Sequence, residues 1–282
     1  MTLAAEKSAA FFGFTDFGLR FHNFGNILLE LSQCSDYHIS MTSKGVFSML
    51  SISHLTKTYG EKVAVKDLSL TIQPGEIFGF IGHNGAGKTT TIKCCCGIQS
   101  FDSGEILVDG ISVRDNPLAV KRRLAYLQDN PDLYDYMSGI RFLNFVADIF
   151  GVSEEDRTER IHRYAEAFEL EKDLAQPISA YSHGMKQKLA VISAWLHDPK
   201  LIIMDEPFVG LDPKSAHILK EMMRDKCNEG GSIFFSTHVL EVAQKLCDKV
   251  AIIKNGELIK VGETEAICGD SSLEAVFLGL ED

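Results

Sequence analysis

The chain has 282 residues, 45% of them apolar and 24% charged, enough for one large globular domain or two modest ones. Its formal net charge of -11 argues against broad nucleic-acid affinity, which draws on clustered Lys and Arg. No apolar run reaches the roughly 18 residues that span a bilayer and no signal-peptide pattern opens the chain, so neither a secreted nor an integral protein is expected.

Residues 1–48 differ in pattern from the rest of the chain. Phe14, Phe17, Phe21, Phe24, Leu28 and Leu31 follow a heptad-like seam that Gly13, Gly18 and Gly25 weaken as a helix. The segment reads either as an amphipathic helix docking on a partner or membrane surface, or as an extension outside a core domain over 49–282. The second reading is favoured because recognisable patterning begins at Leu50. From there SMLSISHLTKTYG and KVAVKDLSLTIQPGE alternate apolar and polar residues, predicting antiparallel strands that turn at Gly60 and Pro74-Gly75. IFGFIG predicts a short apolar strand, TTTIKCCCGI a helix, and GEILVDGISV a hairpin around Asp109-Gly110.

Apolar residues at helical spacing (Phe142, Phe145, Val146 and Ile149, then Ile161, Tyr164, Ala165 and Phe168) predict helix throughout 138–172, within a small helical subdomain at about 130–181. After YSHGMKQK, a helix is expected to run to Asp198, where Pro199 stops it, followed by the apolar strand LIIMDEP. GSIFFSTH and KVAIIKNGELIK complete the strands, and strands alternating with helices predict an α/β fold with a parallel sheet. Seven cysteines at 34, 94, 95, 96, 227, 247 and 268 lack the paired spacing of a disulfide framework or zinc site, which fits a reducing cytoplasm. Consecutive helical side chains at 94–96 fan out by about 100° each, so packing rather than metal binding is expected of them.

GHNGAGKT fits the phosphate-loop pattern G-x-x-x-x-G-K-[ST] between a predicted strand and a predicted helix. Gly82, His83, Asn84, Gly85, Ala86 and Gly87 would wrap phosphates with backbone amides. Lys88 would reach the outer phosphates, and the Thr89 hydroxyl, with Thr90 beside it at the helix start, suits Mg2+. LIIMDE delivers two carboxylates at a strand's C-terminal end, where ligand sites of α/β sheets lie. Asp205 suits Mg2+ through water and Glu206 suits polarising an attacking water. In YSHGMKQK, Ser182 reads as a helix N-cap that presents its hydroxyl and the amides near Gly184 to an anion. Lys186 and Lys188 in that first turn would cost about 0.3 to 1 kcal/mol each against the positive helix start, so they fit better beside phosphate.

The ordered set GHNGAGKT, YSHGMKQK, LIIMDEP, VGLD and STH resembles the ATP-binding subunit of an ABC transporter, from Leu50 to about Leu280. The resemblance implies an ABC-type phosphate-loop ATPase core with a parallel sheet, an N-terminal antiparallel β subdomain and a small helical subdomain. It implies that Tyr59 stacks on adenine, Asp205 holds magnesium and Glu206 is the catalytic carboxylate. His238 becomes the switch that senses the terminal phosphate, and Asp212 the residue that faces a partner subunit. YSHGMKQK becomes the family signature, with His183 and Met185 replacing the usual glycine and glutamine, and with Ser182 and Gly184 closing over ATP held by a second subunit, identical or paralogous. LAYLQDNPDLY departs from the family, offering Gln128 by identity but Asp129 by spacing as a magnesium ligand. That acidic residue and the ending SLEAVFLGLED resemble the branch served by ABC-2 type exporter permeases. The resemblance thus implies an ATPase using ATP and Mg2+, peripheral on the cytoplasmic face of the cell membrane. It would drive a permease touched by the helical subdomain and residues 128–136, without binding nucleic acid. An ABC protein acting on ribosomes or DNA is the alternative, and a GTPase is disfavoured by the lack of N-K-x-D.

Overall fold

The computed structural model describes residues 48–280. The heptad-like seam at 14–31 and Cys34 lie outside them. The described chain opens with the expected hairpin, β1 (Leu50–Tyr59) and β2 (Lys62–Ile72), turning at Gly60 in a left-handed conformation. Then come β3 (Ile77–Ile81), α1 (Lys88–Cys95), the hairpin β4 (Ser103–Val108) and β5 (Ile111–Ser112), α2 (Pro117–Lys121) and β6 (Leu124–Leu127). Helices α3 (Gly139–Phe150) and α4 (Glu154–Ala167) precede α5 (His183–Trp195), β7 (Leu201–Asp205), α6 (Pro213–Asn228), β8 (Ser232–Thr237) and α7 (Leu240–Leu246). The hairpin β9 (Lys249–Lys254) and β10 (Glu257–Glu263) and the short helices α8 (Thr264–Cys268) and α9 (Leu273–Gly279) complete the order.

Two sheets form. One is antiparallel in the order β2-β1-β4-β5, and the other has six strands in the order β10-β9-β3-β8-β7-β6. In the second, β9, β3, β8, β7 and β6 run parallel and β10 pairs antiparallel to β9. Both faces of the six-stranded sheet are covered, so its central strands are continuously apolar and their alternation sorts side chains between two cores. Phe78, Phe80, Leu201, Ile203 and Phe234 pack toward α1 and the antiparallel sheet, whereas Ile77, Ile81, Ile202, Met204, Ile233 and Phe235 pack toward α3, α5 and α6. The cysteines at 94–96 are buried in the first core, the packing role expected of them; burial pushes the Cys94 thiol up to about 12.

Two helix expectations need correction. Residues 138–172 are not helical throughout, because Gly151 ends α3 in a left-handed cap (φ 68°) and Ser153 restarts the chain as the N-cap of α4, accepting the Asp156 N–H at 3.1 Å. The helix after YSHGMKQK ends at Trp195 instead of Asp198. Asp198, just before Pro199, takes a left-handed φ of 53° and pairs with Lys226, as a residue barred from the right-handed region by the following proline can do.

Candidate active site

Strands β3, β6, β7 and β8 run parallel, so their C-terminal ends share one edge of the sheet. At that edge β3 delivers residues 82–89, β6 delivers 128–129, β7 delivers 205–206 and β8 delivers His238. On β7 the two-residue alternation that turns Leu201 and Ile203 toward α1 turns Asp205 the same way. There the Thr89 hydroxyl, in the first turn of α1, donates to Asp205 Oδ2 at 2.6 Å. Ser236, opposite Asp205 in the β7–β8 register, donates its hydroxyl to Oδ1. Asp205 is 4% exposed, so these two hydroxyls hold an otherwise costly buried charge.

The chain then turns abruptly. Glu206 has φ 49°, a left-handed conformation that costs a non-glycine residue about 1–3 kcal/mol and is held here by its N–H donating to the Ser236 carbonyl at 3.2 Å and hydroxyl at 3.1 Å. The turn brings Glu206 Oε2 to 3.0 Å from His238 Nδ1 and 3.3 Å from the His238 backbone N–H. Oε1 is buried with no hydrogen-bond donor among the described residues, and the Lys88 ammonium lies 3.7 Å from it. A buried carboxylate oxygen lacking a donor is a place for water.

Lys88 reaches back across its own loop, donating to the carbonyls of Gly82 at 2.6 Å and His83 at 3.2 Å. Glycine is required at both ends of the loop by close approach: a Cβ at Gly82 would lie 2.5 Å from the Ile253 carbonyl oxygen, and one at Gly87 2.5 Å from that of Ala64. Gly87 caps α1 at φ 111° without a side-chain cap, so the first amides of α1 are open to an anion. Asn84 is exposed at the tip, Ala86 is buried behind it, and Thr90 is half-buried in the first turn of α1.

Gln128 is half-buried and Asp129 exposed just past β6. Partial desolvation and then the Asp205 and Glu206 carboxylates raise the Asp129 carboxyl above the usual range, against the opposite pull of His183 and His238. Tyr59 stands at the end of β1, 47% exposed, with the Lys57 ammonium 5.1 Å over its ring. Its hairpin reaches the phosphate loop at Ala64, behind Gly87.

Ser182, Gly184 and Asp212 form a second cluster. Ser182 caps α5 by accepting the Met185 N–H at 3.2 Å, as expected. Asp212 caps α6 by accepting from Ser215 N–H at 2.9 Å and Ser215 hydroxyl at 2.7 Å, and these bonds, with Lys188 at 3.0 Å, hold its carboxyl well below the usual range. Between the caps, a Cβ on Gly184 would lie 2.9 Å from the Gly210 carbonyl, and one on Gly210 would strike the His183 ring. The two lysines expected beside phosphate each have a carboxylate partner in this chain: Lys188 pairs with Asp212 at 3.0 Å and Lys186 with Asp135 at 2.6 Å, which offsets the positive helix start.

Two residues escaped the sequence reading. Ser236 lies within the apolar strand SIFFST, and only its two-residue offset from Phe234 marks it as facing Asp205. Gln187 is fully buried and donates to the Pro207 carbonyl at 3.3 Å, tying α5 to the Glu206 turn; its polar side chain on the apolar face of α5 was the available signal.

Residues 65–209 match the family model described as ABC transporter. The chain belongs to the ABC transporter family. It is an ATP-binding ATPase of that family, with the ABC ATPase fold. Among its relatives is the ABC-type transporter ATP-binding protein EcsA of Bacillus subtilis (strain 168), 34% identical over 238 residues that cover 83% of this chain and 96% of EcsA. The linearmycin resistance ATP-binding protein LnrL of the same organism is 31% identical, over 83% of this chain and 76% of LnrL. A solved ATP-binding subunit of an ABC transporter superposes with a TM-score of 0.80 at 33% identity, covering 83% of this chain and 100% of that one.

Proposed function

We propose that this ABC ATPase powers a separate membrane permease and works as a two-fold pair with a second ATP-binding chain, identical or paralogous. The carrying observation is that the family's motifs fall into two clusters. Lys88, Thr89, Asp205, Glu206 and His238 meet at one sheet edge, while Ser182 and Gly184 open α5 beside Gly210, held by contacts of their own. A capped helix start suits the phosphates of ATP bound to the other chain, with Asp212 of the adjoining cap facing that partner.

In this reading residues 82–90 wrap the phosphates and Tyr59 stacks on adenine. Thr89 and Asp205, with Gln128 or Asp129 just past β6, would supply hard oxygen donors to a divalent cation. Mg2+ held there would neutralise charge on the transferring phosphoryl group. Glu206 Oε1 accepts a proton from the attacking water as its oxygen bonds to the terminal phosphorus, while the bridging P–O bond breaks to leave ADP and inorganic phosphate. His238 holds Glu206 at Oε2, and in this reading it senses the terminal phosphate.

No helix among the described residues is long and apolar enough to cross a membrane. The proposed site of action is peripheral, at the cytoplasmic face, on an ABC-2 type permease contacted by the helical subdomain at about 130–181, with residues 49–282 as the ATP-binding domain and 1–48 as an extension. Export is the proposed direction, supported by the resistance named for LnrL. Purification of the tagged full chain from solubilised membranes tests this. A small multi-helix permease should accompany it in stoichiometric amount, and recovery with ribosomes or DNA instead would overturn the assignment.

A further inference from the structure

We infer that Phe277, on α9, is a positioning residue for the phosphate loop, acting through the ring of His83. The inference rests on the loop being the ATP site. The two rings pack with centroids 4.8 Å apart at 58°. Phe277 is 9% exposed in the core that holds α7 and α9, whereas His83 is an exposed loop residue braced by that contact. His83 matters to binding because its carbonyl accepts from both the Ala86 N–H at 3.1 Å and the Lys88 ammonium at 3.2 Å. When phosphates draw the ammonium toward themselves, that carbonyl keeps the Ala86 N–H but loses one of its two donors, and the ring contact with Phe277 helps to hold the front of the loop. The tip offers little other backing: Asn84 and Gly85 are exposed, and a Cβ on Gly85 would meet nothing within 4 Å.

The brace is itself anchored at both ends. The Leu273 N–H donates to Gln244 Oε1 at 2.9 Å, and the Lys254 ammonium donates to the Leu280 carbonyl at 3.0 Å. The turn after Lys254 also grips the loop, the Gly256 N–H donating to the Ala86 carbonyl at 2.8 Å. The end of β9 thus ties α9 and the phosphate loop into one unit, with Phe277 on His83 closing it.

The test measures the Kd for ATP by fluorescence titration, the kcat and the thermal midpoint of the full chain. Phe277→Ala should raise the Kd by about two- to tenfold, the range such ring pairs carry, and by a larger factor than it lowers kcat. Phe277→Tyr should restore binding, His83→Ala should match Phe277→Ala, and the double variant should be no weaker than either single one. A Phe277→Ala chain with lowered thermal midpoint but unchanged Kd, or single effects that multiply in the double variant, would overturn the inference. Should Phe277→Ala not fold, His83→Ala against His83→Phe decides, equal Kd values again overturning it. Lys88→Ala reports separately on the underlying reading, since only loss of ATP binding in that variant keeps the loop as the ATP site.

Discussion

Ser236 stands across the sheet from Asp205 and donates its hydroxyl to that carboxylate, while the same oxygen accepts the N–H of Glu206 at 3.1 Å. One fully buried serine therefore sets both acids of the site. Ser236→Ala leaves Asp205 Oδ1 without its donor and should cost about 1–3 kcal/mol of stability. It also removes one of the two acceptors that hold the strained Glu206 turn, leaving the Ser236 carbonyl, so kcat/KM should fall by roughly tenfold, about 1.4 kcal/mol of transition-state stabilisation. Thermal melting and a phosphate-release assay check both, and an unchanged kcat/KM would contradict the role given to Ser236.

Asp129 carries a pH signature. Its carboxyl is raised in the folded chain by desolvation and by Asp205 and Glu206, so the native state binds its proton more tightly than the unfolded state does. Stability is thus lost as pH rises from the ordinary aspartate value of about 3.9 through the raised one, and the penalty is fully present above the latter. Asp129→Asn, melted without Mg2+, should be more stable than the unaltered chain at pH 7 and indistinguishable from it below about pH 3.9. A gain that persists at the acidic end would rule this out.

Asp212 behaves oppositely. Bonds from Ser215 and the nearby Lys188 depress its carboxyl, so its stabilising share is present above about pH 3.9 and fades as pH falls toward the depressed value. Asp212→Ala should cost about 0.5–2 kcal/mol at pH 7 through loss of the α6 cap, and less in acid. Asp212→Asn keeps a capping oxygen and should lose little, because the Lys188 pair is half-exposed at the Asp212 side. Equal losses for the two variants would refute the cap as the main contribution.

What the sequence made legible was contiguous. GHNGAGKT and LIIMDE carry their chemistry in adjacent residues, and the alternation that buries Leu201 and Ile203 aims Asp205 at Thr89. The unread parts depend on residues far apart in the chain: Ser236 on Asp205, Gln187 on Pro207, Phe277 on His83. Gly151 is not legible as a break because an apolar helical period runs across it, yet its left-handed φ lets the chain reverse there at no steric cost. The pairing of Lys186 and Lys188 is not legible in YSHGMKQK because their carboxylates, Asp135 and Asp212, come from other loops.

In the proposed mechanism hydrolysis turns on Glu206, whose Oε1 is buried without a hydrogen-bond donor among the described residues and whose Oε2 is held by His238. The most direct measurement is ATP turnover and retained nucleotide for Glu206→Gln, purified as the full chain with Mg2+ and run by size exclusion with light scattering. Removing the base while keeping the shape should lower turnover by about 10²- to 10⁴-fold and leave ATP bound in a stable two-chain species. Turnover equal to that of the unaltered chain would contradict the role of Glu206 as the base.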